Sequence, residues 1–372
     1  MDYKAYLTEN VIPFWLKNGI DREFGGIYLY LDEKGKLYGD EKGAWFQGRA
    51  LYTLSRAYNT IEKNPEYLEA AGLIYGFLKK CIHEDGRLGF KVTRNGRTIA
   101  MNDFDYSEMF AAIGCAEYFL ASGNEEAAEY AKRFFEKAQS LYAQLMGSVG
   151  KTSLYKQVAP SMIMLATAQV MRKLDAKYDD VVSDMLAEIT GGGNVRDFAM
   201  LENVSPSGEF TDSPEGRLVN PGHSLECAWF LMSEGVHRSD KSLILKAKNL
   251  IDVSMKLGLK NNGIIAFCDV LGNPPEALEW DMHIWWPQCE AMIANRMCYE
   301  VTGEEKYLDA FRSLENYVFT HFADTKNGEW YGYMHYDGTV ANTLKGNISK
   351  GLFHLPRMLM QIYEIENHRI VF

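Results

Sequence analysis

Two histidines in this sequence stand where a proton could be taken from, or returned to, a bound molecule. His223 lies in Asn220-Pro221-Gly222-His223-Ser224-Leu225-Glu226, and His354 lies in Phe353-His354-Leu355-Pro356-Arg357. The i, i+3 spacing puts His223 and Glu226 on one helical face, where the carboxylate can orient the imidazole or stabilise its cation. A histidine in the first turn of a helix meets the positive end of the dipole, which favours the neutral form that accepts a proton. Pro356 suits a first turn as well, so His354 occupies the corresponding place in another helix. Arg49, in Trp45-Phe46-Gln47-Gly48-Arg49, needs an anionic partner if it is buried. That partner is either a structural carboxylate or an oxygen on which negative charge develops. Asp105 and Glu108 flank the start of a further apolar helix, and Trp285-Trp286-Pro287-Gln288-Cys289-Glu290 opens another. Read singly, each of these polar groups serves equally as a helix cap or a satisfied core residue, and each aromatic as core. Their coincidence at helix starts carries the argument. The aromatic faces of Trp45, Tyr106, Trp285 and Trp286 beside carboxylates suit a sugar, which offers apolar C–H faces and many hydroxyls.

Residues so far apart in the chain need a scaffold that gathers helix starts. Two kinds of helix alternate along the sequence. Segments 46–58, 107–120, 160–171, 223–232, 287–299 and 355–363 are apolar nearly all round and should be buried. Others are one-sided, as in Ala127, Ala131, Phe134, Ala138 and Leu141, or Tyr307, Phe311, Leu314 and Val318, and should face water. The buried segments recur at intervals of roughly 53 to 64 residues, about a helix pair plus loop each. Six inner and six outer helices follow, the inner ones parallel, with their N-terminal ends at one mouth of a barrel. Short alternating runs at 26–30, 88–92 and 330–336, with turn pairs Lys34-Gly35, Asn95-Gly96 and Asp337-Gly338, predict hairpins in the connecting loops. No Pro/Ser-rich linker divides the chain, which reads as one domain over 1–372.

Composition excludes several classes. The 372 residues carry 39 Lys plus Arg against 50 Asp plus Glu, a net charge of -11, and no basic block that could neutralise phosphates, so nucleic acid is not an expected partner. No apolar run reaches the roughly 18 residues of a membrane span, and Asp2, Lys4 and Glu9 occupy the place of a signal peptide's apolar stretch. The expectation is a cytoplasmic protein. Cys81, Cys115, Cys227, Cys268, Cys289 and Cys298 show no pair at ligand spacing, which predicts buried free thiols and neither a disulfide framework nor a zinc site.

Six ordered motifs resemble the N-acylglucosamine 2-epimerases and their relatives, the cellobiose 2-epimerases and the aldose-ketose isomerases of mannose-like sugars. They are Asp21-Arg22-Glu23-Phe24-Gly25-Gly26, Trp45 to Arg49, Leu201-Glu202-Asn203-Val204, Asn220 to Glu226, Trp285 to Glu290 and Phe353 to Arg357. The resemblance implies an all-α (α/α)6 barrel, essential residues Arg49, His223, Glu226 and His354, and substrate contacts around Trp45, Tyr106, Arg217, Trp285 and Trp286. It suggests a homodimer. Glu202-Asn203 looks more like the N-acylglucosamine branch, since cellobiose epimerases typically carry a histidine-containing motif there. The segment Met146-Gly147-Ser148-Val149-Gly150-Lys151-Thr152-Ser153 superficially suggests a phosphate loop. It lacks the full spacing and a clear preceding strand, so no ATP requirement is assigned and no cofactor or metal is expected.

The chemistry these residues imply begins with ring opening, which places the sugar's C2 proton beside an aldehyde. One histidine removes it, Arg49 and backbone donors hold the enediolate charge, and the other histidine reprotonates C2 from the opposite face. Return of the proton to C1 instead gives a ketose. N-Acetylglucosamine and N-acetylmannosamine lead as substrates, with mannose-like free sugars next. Asp105, Glu108, Glu226 and Glu290 could alternatively supply the carboxylate pair of a glycoside hydrolase, which this barrel also supports. A non-catalytic sugar-binding role is the third reading.

Overall fold

The computed structural model describes residues 1–370. Twelve long helices among the described residues form six pairs. The outer member of the first is a continuous rod, α1, of Tyr3–Tyr6, a π-helical turn Leu7–Val11 and Ile12–Asn18. Pro13 has no N–H to give the carbonyl of Glu9, which accounts for the wide turn beside it. The remaining helices are α2 Ala44–Thr60, α3 Pro65–Lys80, α4 Ser107–Ser122, α5 Glu125–Ser148, α6 Ala159–Met171 and α7 Asp179–Gly191. They continue as α8 Pro221–Arg238, α9 Lys241–Gly258, α10 Trp285–Thr302, α11 Glu305–His321 and α12 His354–Glu366. Even-numbered helices are the inner ones and begin within a few residues of the apolar segments read from the sequence. Odd-numbered helices bury one face: α5 turns Ala127, Ala131, Phe134, Phe135, Ala138 and Leu141 inward and leaves its charges outside. The core runs without a break from Tyr3 to Ile365, and α1 closes the ring against α12.

Neighbouring inner helices approach closely where side chains are smallest. A Cβ on Gly48 of α2 would overlap the backbone of Phe110 and Ala111 in α4, and one on Gly114 of α4 would lie 2.5 Å from the Gly48 carbonyl oxygen. Only glycine at both positions allows this crossing. At the far end of the barrel, buried charges are paired: Arg56 with Glu364 at 2.8 Å and with Glu117, which also takes Lys173 at 2.8 Å. No helix among the described residues is long and apolar enough to cross a membrane.

The predicted hairpins exist but are shorter and later than the alternating runs. Strand pairs are Tyr30–Leu31 with Leu37–Gly39, Lys91–Val92 with Thr98–Ala100, and Tyr333–Met334 with Val340–Asn342, with Gly35, Gly96 and Gly338 all at positive φ in the turns. One reason is that part of the extended backbone is satisfied by side chains instead of strands. Gln47 of α2 accepts from Ile27 N at 2.8 Å and donates to Ile27 O at 2.9 Å. Gln288 of α10 does the same for Ile264, at 2.8 and 2.7 Å. Each carboxamide replaces a strand neighbour and pins a connecting loop onto the mouth of the barrel.

Candidate active site

The first turns of all six inner helices converge on one cavity of about 450 Å³. Trp45 and Arg49 come from α2, Tyr106 and Phe110 from the start of α4, Ala159 and Ile163 from α6. His223 and Glu226 come from α8, Trp285 and Trp286 from α10, and His354 from α12. The volume falls in the usual range of small-molecule sites, roughly 300–1,000 Å³. The lining joins the polar Arg49, His223, Glu226, Ser349 and His354 to apolar side chains that include Phe90, Phe110, Ala159 and Ile163.

The indole of Trp286 packs against both imidazoles, with ring centroids 5.0 Å from His223 and 5.6 Å from His354. Gly222 makes room for it, since a Cβ there would lie 2.6 Å from the indole. Each imidazole has its Nδ1 against a carboxylate. His354 Nδ1 lies 2.8 Å from Glu290 Oε1, and His223 Nδ1 lies 3.1 Å from both oxygens of Glu202. A carboxylate only accepts, so Nδ1 carries the hydrogen in both rings, and Nε2 is left for the cavity.

Glu226, expected to orient the His223 imidazole or stabilise its cation, does not hold the ring and acts on it only through its charge, which helps to raise the His223 pKa. It lies a turn deeper and forms an ion pair with Arg357, which also binds Glu290 at 2.7 Å. Arg357 stands three residues after His354, as Glu226 stands three after His223. The two i+3 partners therefore meet inside the barrel and tie together the helix starts that carry the histidines. Glu290 is completed by the Trp229 indole N–H at 2.8 Å. Glu226, Glu290 and His354 are close enough to ligate a cation, and the positive charge beside them is the Arg357 guanidinium.

Unlike Arg56, Arg217 and Arg357, Arg49 makes no ion pair among the described residues. Its guanidinium lies over the rings of Trp45, Phe110 and Phe353 at 4.7, 4.2 and 4.7 Å, and its Nε is buried without a hydrogen-bond partner. Glu226 and Glu290, the acids that act on it electrostatically, are ion-paired with Arg357 instead. Burial pulls its pKa down to about 9, so it remains a cation at neutral pH. A cation held by aromatic faces, with unsatisfied donors at a cavity, is a receptor for an oxyanion.

The histidines are in unlike environments. Burial and the cations Arg49 and Arg357 hold His354 well below the ordinary imidazole value. For His223 burial acts in the same direction, but Glu202, with Glu226 and Glu290 behind it, outweighs burial and raises its pKa.

Several residues singled out from the sequence lie elsewhere. Asp105, just ahead of α4, accepts from Ser107 N at 2.7 Å, and buried Glu108 accepts from Leu88 N at 2.8 Å. Gln288 is committed to Ile264, and Arg217 to Asp269 and Asp212 at 2.8 and 2.7 Å. None of the four lines the cavity, nor does Glu290, which acts from behind His354. Of the acids a glycoside hydrolase would need, Glu226 alone reaches the cavity wall among the described residues, and a flanking pair is missing. The segment 146–153 begins in the last turn of α5 and runs on past its C-terminal end, whereas a phosphate loop joins a strand to a helix N-terminus. Glu202 was visible in the sequence only as part of a motif, and Arg357 only as the end of another.

The profile of the N-acylglucosamine 2-epimerase (GlcNAc 2-epimerase) family matches residues 25–356. The chain is 32% identical to the N-acylglucosamine 2-epimerase of Bos taurus, over 99% of this chain and 91% of that protein. Its fold is shared with a D-mannose isomerase (TM-score 0.84, 17% identity, 98% and 97% of the two chains). A cellobiose 2-epimerase from Bacillus thermoamylovorans gives a TM-score of 0.83 at 20% identity, covering 98% of each chain. These are (α/α)6 barrels, and the protein belongs to the N-acylglucosamine 2-epimerase family.

Proposed function

We propose that the protein is a sugar 2-epimerase that interconverts N-acylglucosamine and N-acylmannosamine by moving a proton at C2. The observation that carries this reading is the pair of imidazoles from α8 and α12 on one cavity, each with Nδ1 held by a carboxylate and Nε2 left for substrate. Abstraction from one face and return on the other inverts C2, and the enediolate formed between these steps needs a cation that is not already held in an ion pair. Arg49 meets that requirement. The apolar side chains of Phe110, Ala159 and Ile163 in the cavity lining support an acylated substrate, because an acyl methyl needs apolar cover that a free hydroxyl does not. The name of the Bos taurus relative, at 32% identity over nearly the full length, supports the same choice. The whole barrel acts as one catalytic unit, since every inner helix contributes to the site. Six unpaired cysteines, five of them buried, fit a reducing compartment and support a cytoplasmic location.

The test is incubation with N-acetylglucosamine, N-acetylmannosamine, mannose and cellobiose, with products identified by NMR. Interconversion of the two N-acetylhexosamines, with little turnover of mannose or cellobiose, is the expected outcome. Conversion of mannose to fructose with no reaction of either N-acetyl sugar would replace the proposal by an aldose-ketose isomerase.

A further inference from the structure

The two imidazoles are held by unlike partners. Glu290, behind His354, already has a guanidinium and an indole N–H on its oxygens, and Arg357 Nη2 approaches His354 Nδ1 itself to 3.3 Å. The carboxylate is shared, and the ring meets positive charge from Arg49 on α2 and Arg357 on its own helix. Glu202 is different. It comes from the loop before the strand Asn203–Val204 and turns both oxygens onto His223 Nδ1 at 3.1 Å. The charged groups facing His223 are Glu202 from that loop, Glu226 from its own helix and Glu290 from α10, with His354 across the cavity. Three carboxylates act on this ring through their charge, and the nearest, Glu202, is devoted to it. The His223 side chain is also 27% exposed against 9% for His354, so it exchanges protons with water more readily.

We propose that Glu202 is a positioning residue that fixes where the single mobile proton of the free enzyme resides, on Nε2 of His223, leaving His354 as the neutral base. This rests on the two-imidazole reading above. The resting enzyme then takes the epimer whose C2–H faces His354. That C–H bond breaks, its proton goes to Nε2 of His354 and its electron pair enters the enediolate. The Nε2 proton of His223 forms the new C2–H bond on the other face. Product leaves behind protonated His354 and neutral His223, and the cycle closes when His354 loses its proton to water and His223 takes one up. The carboxylate of Glu202 and the cations around His354 both drive that reset.

One consequence separates this role from simple support. kcat/KM requires one proton on the pair, so its alkaline limb reports loss of the proton from His223 and its acid limb a second protonation, at His354. The experiment is the pH profile of kcat/KM for the wild type, Glu202→Gln, Glu202→Asp and His223→Ala. Removing the charge lowers the affinity of His223 for its proton, so in Glu202→Gln the alkaline limb is expected to move to lower pH by about one unit or more. The acid limb should stay in place, Glu202→Asp should restore the wild-type limb, and the ratio of kcat/KM in the two directions should remain the equilibrium constant. An alkaline limb that does not move in Glu202→Gln, whatever the fall in rate, overturns the proposal. If His223→Ala still epimerises, the two-imidazole reading itself fails. If it is inactive while the Glu202→Gln limb is unmoved, only the role of Glu202 fails. Should Glu202→Gln not fold, NMR titration of 15N-histidine-labelled wild-type protein decides: His223 titrating above His354 is expected, and the reverse order overturns the proposal.

Discussion

His223→Ala and His354→Ala are each expected to lower kcat for epimerisation by about 10²–10⁴-fold, the range of a lost general acid or base, with KM little changed. The reason is that the rings come from helices that start 133 residues apart in the chain (221 and 354), each held by its own carboxylate, so neither replaces the other at the face of C2 it serves. The two variants should also differ in kind. With His354 removed, His223 can still exchange the C2 proton of the epimer that presents it to that side, so solvent deuterium should enter one sugar of the pair without inversion. With His223 removed, exchange should occur in the other sugar. NMR of each recovered sugar in heavy water measures this. Equal wash-in to both sugars in either variant would mean that the two rings are not assigned to opposite faces.

Arg49→Met should lower kcat by about 10²–10³-fold, as loss of an oxyanion donor does, and should do so without a matching loss of stability. Most buried charges described above are paired, and breaking such a pair, Arg357 with Glu226 and Glu290 for instance, leaves a buried charge stranded at a cost of about 3–5 kcal/mol. Arg49 has no such partner, and its Nε is unsatisfied, so a methionine of similar length among Trp45, Phe110 and Phe353 removes a desolvated cation and keeps the packing. Thermal unfolding of Arg49→Met at or above the wild-type midpoint, together with the fall in kcat, is the expected pair of results. Arg49→Lys should recover little, because an ammonium neither stacks flat on three rings nor offers parallel donors. A variant as active as the wild type would remove Arg49 from the chemistry.

Much of the architecture could be read from periodicity. Helices apolar all round alternate with one-sided ones, and α2, α4, α6, α8, α10 and α12 begin close to where that pattern puts them. Gathering their starts at one mouth placed Arg49, His223, His354, Trp45, Tyr106, Trp285 and Trp286 on a common cavity. What periodicity does not carry is the partner that each polar group takes from another element. The spacing of His223 and Glu226 places both on one face of α8, yet the imidazole turns to Glu202 in a loop and Glu226 turns to Arg357 on α12. Asp105, Glu108 and Gln288 look like site residues because they too stand at helix starts; their bonds to backbone amides show that such positions also serve to fasten loops. The first hairpin begins later than its alternating sequence run because Gln47 satisfies the backbone of Ile27 in place of a strand.

The central claim is that two different groups handle the proton on the two faces of C2. It is tested most directly by converting N-acetylmannosamine deuterated at C2 in ordinary water and analysing the first product formed. Abstraction by one imidazole and delivery by the other predicts N-acetylglucosamine with solvent hydrogen at C2, the deuterium having passed to the first ring and been lost to water. Product that keeps a large share of the original deuterium would mean that a single group carries the proton from one face to the other, and would contradict the account.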